Sequence, residues 1–341
     1  LEHCEGNVKI ENVNFSYTKE KPLITNFSLN VKSGSHIAIV GPTGCGKTTF
    51  IKKYAQYLMS QGLHIGILEN DYGAVNVDMM LLQDLMGEQC ELEMISGGCD
   101  EETHIRRFRT KLISMGMCGY DRVIVEPSGI YDVDEFFDVL HEEPLDNWYE
   151  IGNVITIVDA ELENDLSQEA DYLLASEAAN AGKILLSHAD EADEQQLEQT
   201  IEHLNRAMAQ IGCKRKFATD VLRKGTPQLT DKDLQELSRC GYVYENYQKM
   251  DLSEQNGFES LYFMNITMSE QDLKTAAAKM FADEKCGDIF RIKGFLKENA
   301  DEWMEFNATR SKMTLQPIAK GQDVLIVIGE RLNKEAVESY I

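Results

Sequence analysis

Residues 35–48 read Ser35-His36-Ile37-Ala38-Ile39-Val40-Gly41-Pro42-Thr43-Gly44-Cys45-Gly46-Lys47-Thr48, a short apolar strand running into the pattern GxxxxGK[ST]. Glycines let the backbone curl until successive N–H groups point at one anion. The helical spacing from Lys47 to Ser60 adds the positive end of a helix dipole at the same place. The stretch predicts a phosphate loop for a nucleoside triphosphate. Gly41, Thr43, Gly44, Cys45, Gly46, Lys47, Thr48 and Thr49 are its candidate binding residues. Lys47 would reach the β- and γ-phosphates and Thr48 would hold Mg²⁺.

Working outward, the apolar runs 64–69, 122–126, 153–158 and 183–187 have strand length. Helical patterns at 101–116, 132–141, 165–180 and 191–209 separate them. Strands without alternation, divided by helices, predict a mostly parallel sheet covered on both faces. Before the loop, 8–17 and 23–31 alternate as a β-ribbon. After residue 240 the rhythm changes to strands at 261–268, 288–296, 303–308, 313–318 and 323–329, with helices near 269–283 and 331–341. The fold class expected is therefore α/β, a P-loop NTPase with a small C-terminal α+β domain and an N-terminal β-ribbon. Domain limits are expected at 1–34, 35–240 and 241–341, with 214–239 as the connection.

Composition narrows the function. Asp and Glu number 58 against 33 Lys and Arg, a formal charge of −25, which sets aside a general nucleic-acid binder. The charge is uneven: the first fifty residues hold five Lys and four Glu, or +1, leaving −26 for the rest. No apolar run approaches the ~20 residues a membrane helix needs, and the first twenty residues, dotted with Glu and Lys, carry no secretory pattern. Eight cysteines without a CxxC pair fit reduced thiols in a cytoplasmic protein. The first residue is Leu, from which we expect a processed, tagged or engineered chain.

Two carboxylates stand where the metal shell needs them. Val123-Ile124-Val125-Glu126-Pro127-Ser128-Gly129 is an apolar strand ending in Glu, with a Gly three residues on. Glu126 would act through Mg²⁺ or its water, and the Gly129 N–H would sense the γ-phosphate. Asp71, after the strand at 64–69, either orients the attacking water, binds Mg²⁺ or simply forms a turn with Asn70. The catalytic candidates are Lys47, Asp71 and Glu126, and no arginine can be named.

These residues in this order resemble the CobW-type branch of the P-loop GTPases. Asn70-Asp71-Tyr72-Gly73 with Val77-Asp78 looks like that family's N-E-F-G…D segment, and Tyr120–Gly129 looks like its second acidic strand. Val154–Ala160 (VITIVDA), Arg291–Leu296 (RIKGFL) and Val327-Ile328-Gly329 resemble further family motifs. The resemblance implies Mg²⁺-dependent GTP hydrolysis coupled to delivery of a metal ion to a client metalloprotein. Two departures stand out. The family's G-C-x-C-C metal motif is here Gly98-Cys99-Asp100-Glu101-Glu102, which keeps one thiolate and reads either as a weak site for Zn²⁺ or another transition metal, with carboxylates and His104, or as a plain acidic helix start. The guanine-reading N-K-x-D is here Ser187-His188-Ala189-Asp190, which keeps only the discriminating carboxylate.

The front of the chain resembles a different family. Val8–Tyr17, Leu23–Gly34 and Ser35–Thr49 look like the start of an ABC transporter's ATP-binding cassette, where an aromatic matching Tyr17 stacks on adenine. Past the loop the cassette signs fade: Ile95-Ser96-Gly97-Gly98 comes too early, and no Asp-Glu pair follows Val125. We therefore expect a mosaic, a cassette-like front joined to a CobW-like body at the phosphate loop, with GTP preferred over ATP. The alternatives are a nucleotide-binding fusion with little turnover and a cassette-type ATPase.

Overall fold

The computed structural model describes residues 8–15, 24–31, 35–42, 44–70, 78–95, 101–127, 133–163, 166–218, 220–250, 258–266, 268–297, 303–310, 312–318 and 321–341. Its strands are β1 (Val8–Phe15), β2 (Ile24–Val31), β3 (Ser35–Val40), β4 (Ile65–Asn70), β5 (Cys90–Ile95), β6 (Arg122–Pro127), β7 (Glu150–Asp159), β8 (Lys183–Ser187), β9 (Val221–Leu222), β10 (Phe258–Met264), β11 (Asp288–Lys297), β12 (Trp303–Ala308), β13 (Met313–Ile318) and β14 (Val324–Glu330). The α-helices are α1 (Lys47–Ser60), α2 (Asp78–Leu82), α3 (Glu101–Cys118), α4 (Val133–Leu140), α5 (Leu145–Trp148), α6 (Gln168–Ala179), α7 (Glu194–Gln210), α8 (Asp231–Leu237), α9 (Glu270–Ala282) and α10 (Lys334–Glu338).

Strands β3 to β9 form one seven-stranded sheet in the order β5-β4-β6-β3-β7-β8-β9, and every pairing in it is parallel. The period of two assigns each strand's side chains to opposite layers. Ala38, Val40, Val123, Val125, Val154, Val158, Ile184 and Leu186 face the layer holding Phe108, Phe136, Leu174 and Leu204. Ile37, Ile39, Ile124, Ile155, Ile157 and Leu185 face Phe50, Ile51, Tyr54 and Leu58 of α1. Both faces are covered, so β4 is buried at all six positions, an apolar run from Ile65 to Leu68 that ends in the buried polar Glu69 and Asn70. β3 lies between β6 and β7, so successive crossovers leave it in opposite directions. That reversal opens a crevice at the carboxyl end of β3, where the glycine-rich loop begins.

The stretch 214–239, expected as a connection, belongs to this sheet. It supplies β9, paired to β8, and α8, whose Leu234 and Leu237 enter the core beneath α1. A two-residue strand and a seven-residue helix carry too little periodicity to be read. β5 was missed for a related reason: Cys90-Glu91-Leu92-Glu93 alternates as an edge strand that exposes Glu91.

The C-terminal sheet is antiparallel in the order β10-β14-β11-β12-β13. Leu325 and Val327 face one core with Leu273, Ala277 and Met280 of α9. Val324, Ile326 and Ile328 face the other way, against Met80 and Leu81 of α2. β14 is therefore buried throughout. The Ser167 hydroxyl donates to Glu330 Oε1 at 2.6 Å, and Lys312 pairs with Glu191, fastening this sheet to the first. β1 and β2 pair antiparallel with each other, Val8 opposite Val31, as a separate two-stranded sheet.

Candidate functional site

β3 ends at Val40, and the chain turns at Gly41 with φ 150°. A Cβ there would lie 2.2 Å from the Ile157 carbonyl, so only glycine lets the loop leave the sheet at this point. The loop delivers Lys47 to the first turn of α1, and both Lys47 and Thr48 are buried. The Lys47 ammonium donates to the Gly41 carbonyl across the loop. Thr48 Oγ1 donates to Glu126 Oε1 at 3.2 Å.

Glu126 reaches this point because β6 is in register with β4: Glu69 lies beside Glu126 and Asn70 beside Pro127. All of these open onto a cavity of about 720 Å³, which Gly44, Cys45, Gly46, Lys47, Thr48, Thr49, Glu126 and His188 also line. Asn70 is 1% exposed, and neither atom of its amide has a hydrogen-bond partner among the described residues. An amide buried in that way costs about 1–3 kcal/mol unless something in the cavity satisfies it.

The electrostatics beneath the loop are set by burial. Glu177 of α6 is fully buried, which pushes its carboxyl up to about 8, while the Lys47 ammonium and the Gly41 amide oppose the rise. Burial likewise pushes the Cys45 thiol up to about 12, so it stays protonated and serves as packing rather than as a thiolate ligand. At the far side, His188 holds φ 53°, and its Nδ1 lies 3.1 Å from both carboxylate oxygens of Asp159. That hydrogen bond holds the imidazole above its ordinary range.

Of the other candidates, Ser187 lies behind the loop, its Cβ 3.6 Å from where a Cβ on Gly46 would stand. Asp190 is exposed and is not part of the cavity lining. Its carboxylate rests on Gly225, where a Cβ would lie 1.7 Å from Oδ1. His104 is buried on α3, where desolvation and Arg107 lower its pKa. Tyr17, Thr43, Asp71, Cys99 and Gly129 fall outside the described residues. Sequence reasoning did not single out Asn70, Asp159, Glu177, Arg291, Lys293 and Lys312 as site residues. The available signal was the Arg-x-Lys spacing at 291–293, which puts two cations on one face of a strand.

Residues 35–217 match the CobW/HypB/UreG nucleotide-binding domain, and residues 266–341 match the cobalamin synthesis protein CobW C-terminal domain. The chain belongs to the CobW/HypB/UreG family. Among solved structures it is similar to the Zn(II)-bound YjiA GTPase from E. coli, at 18% identity, 91% of this chain, 98% of that one and a TM-score of 0.35. It is also similar to HypB from Helicobacter pylori in complex with nickel, at 14% identity, 60% of this chain, 84% of that one and a TM-score of 0.39.

This CobW-family chain also shares short stretches with ABC transporters, in accord with its cassette-like front. It is 51% identical over 51 residues to an ABC transporter ATP-binding protein of Mycoplasma genitalium, 15% of this chain and 9% of that protein. It is 35% identical over 75 residues to the mitochondrial iron-sulfur clusters transporter ATM1 of Gibberella zeae, 22% of this chain and 11% of that protein. The chain spans about a tenth of the length of these curated relatives.

The donor sets can be compared with the metals that the CobW resemblance implies. Thr48 and Glu126 are hard oxygen donors at the cavity floor, which suits Mg²⁺. A soft metal has no such set: no group of three or more His, Cys, Asp or Glu among the described residues could hold an ion. No described helix is long and apolar enough to cross a membrane.

Proposed function

We propose that this chain binds and hydrolyses a nucleoside triphosphate with Mg²⁺, GTP in preference to ATP. What supports the reading is one cavity gathering Lys47, Thr48 and Glu126 at the N-terminus of α1. The loop N–H groups and Lys47 would hold the phosphates. Thr48, Glu126 and Asp71 would hold Mg²⁺, which when bound neutralises charge between the β- and γ-phosphates. Glu126 or Asp71 would order the attacking water, and Gly129 would sense the γ-phosphate. Ser187, His188 and Asp190 would read the base. Family membership further supports coupling to metal delivery to a client protein in the cytoplasm, with Cys99 as the remaining thiolate of the metal loop.

The deciding experiment is competition of GTP and ATP for a fluorescent nucleotide, with and without Mg²⁺. Clear GTP preference, lost in Asp190→Ala, supports the reading. ATP preference would mean that Tyr17 and the cassette-like front shape the base site, and would refute the guanine assignment.

A second proposal concerns the assembly: three parts at 1–34, 35–240 and 241–341, the first a cassette-like piece joined to the CobW-type body. It is supported by β1 and β2 forming a sheet of their own and by the short transporter matches.

A further inference from the structure

Arg291 and Lys293 lie two residues apart on β11 and share a face of that strand. Ile292 between them enters the core under α9, while both cations line the cavity with Gly44, Lys47 and Thr48. The Arg291 side chain lies directly on the bare backbone of Gly44. A Cβ at that glycine would stand 3.2 Å from Cδ and 3.3 Å from Nη1. From the neighbouring strand β12, Asn307 Oδ1 accepts from Arg291 Nε at 2.7 Å. The neutral amide fixes one edge of the planar guanidinium without cancelling its charge, and Arg291 forms no ion pair among the described residues. The result is a fixed cation on the wall of the cavity against the phosphate loop, carried by the C-terminal sheet, whereas Lys47 stands on α1.

The chemistry of triphosphate hydrolysis calls for such a group. The oxygen of water forms a bond to the γ-phosphorus while the bond from that phosphorus to the β–γ bridging oxygen breaks. The electron pair stays on the former bridging oxygen, now terminal in the diphosphate. The water's proton leaves with the released phosphate or to solvent. Negative charge therefore grows on oxygens held against the loop, where a preorganised donor counts most.

We propose that Arg291, supplied in cis by the C-terminal sheet, is the catalytic arginine that stabilises this developing charge, with Asn307 as its positioning residue. The inference rests on the cavity being a triphosphatase site. A lysine would not replace it, because the planar fork can be held at Nε and still donate from Nη1.

The test uses the full chain with Mg²⁺: single-turnover GTP hydrolysis, GDP affinity, and the gain in GDP affinity given by aluminium fluoride. Arg291→Ala should slow hydrolysis by about 10²–10⁴-fold and remove the aluminium fluoride gain, with GDP affinity within about threefold. Arg291→Lys should recover little, and Asn307→Ala should cost about tenfold in rate with GDP affinity kept. If Arg291→Ala does not fold, the other two variants decide. Unchanged hydrolysis in the variants overturns the proposal, as does a rate loss matched by an equal loss of GDP affinity. Nucleotide binding without turnover in the unaltered chain also overturns it while leaving the binding site standing. Failure of the unaltered chain to bind any nucleotide would instead refute the triphosphatase reading itself.

Discussion

The Thr48 hydroxyl donates to Glu126 Oε1 at 3.2 Å, joining the first turn of α1 to the carboxyl end of β6. Two hard oxygen donors held this closely predict that Mg²⁺ strengthens nucleotide binding through them. Chelation should weaken GTP binding to the unaltered chain by about tenfold or more. Glu126→Ala should bind GTP at the chelated level whether or not Mg²⁺ is present. Titration calorimetry with and without a chelator checks this, and an intact Mg²⁺ effect in Glu126→Ala would remove Glu126 from the metal shell.

Lys47 is buried, with its ammonium on the Gly41 carbonyl. A phosphate oxygen offers that ammonium a full negative charge in place of a carbonyl dipole, so triphosphate binding draws on it directly. Lys47→Ala should weaken triphosphate affinity by about a hundredfold or more. Retained tight binding in equilibrium fluorescence titration would refute the phosphate-loop assignment.

Glu177 supplies a pH signature. Its carboxyl is raised from 4.5 to about 8 in the folded chain, so the folded state binds this proton more tightly than the unfolded state. The contribution is fully present below the unfolded value and is lost as pH rises through about 8. Between those limits the unaltered chain should lose up to a few kcal/mol from this group. Glu177→Gln keeps the shape without the titration, so its melting temperature should fall less between pH 5 and pH 9. Parallel melting curves for the two chains would show that Glu177 is not held neutral.

The ribbon β1–β2 pairs only with itself among the described residues. Removing residues 1–33 should therefore leave nucleotide affinity within about threefold and the melting temperature nearly unchanged. Collapse of both, read by calorimetry and thermal melting, would make the segment integral to the body.

The parallel sheet was legible because its signals are local. β3, the loop and α1 lie within residues 35–60, and the apolar strands announce burial on both faces. β9 and α8 were not legible, since their placement depends on β8 offering an open edge and on the surface of α1. The site divided in the same way. Lys47, Thr48 and Glu126 follow from motif spacing, whereas Glu177 looks like any helix acid until α6 is placed beneath the loop. Arg291 is separated from Gly44 by most of the chain, and only the packing of the second sheet brings them together.

The strand order of the C-terminal sheet has a consequence for how the chain is made. β14, the last of this sheet's five strands in chain order, lies between β10 and β11. Until residue 330 has emerged, β10 and β11 lack the partner that joins them. The larger sheet is complete once β9 is made and gains α8 by Leu237, so it can fold on the ribosome while the smaller one waits. The nascent protein thus acquires its phosphate loop before the wall that carries Arg291.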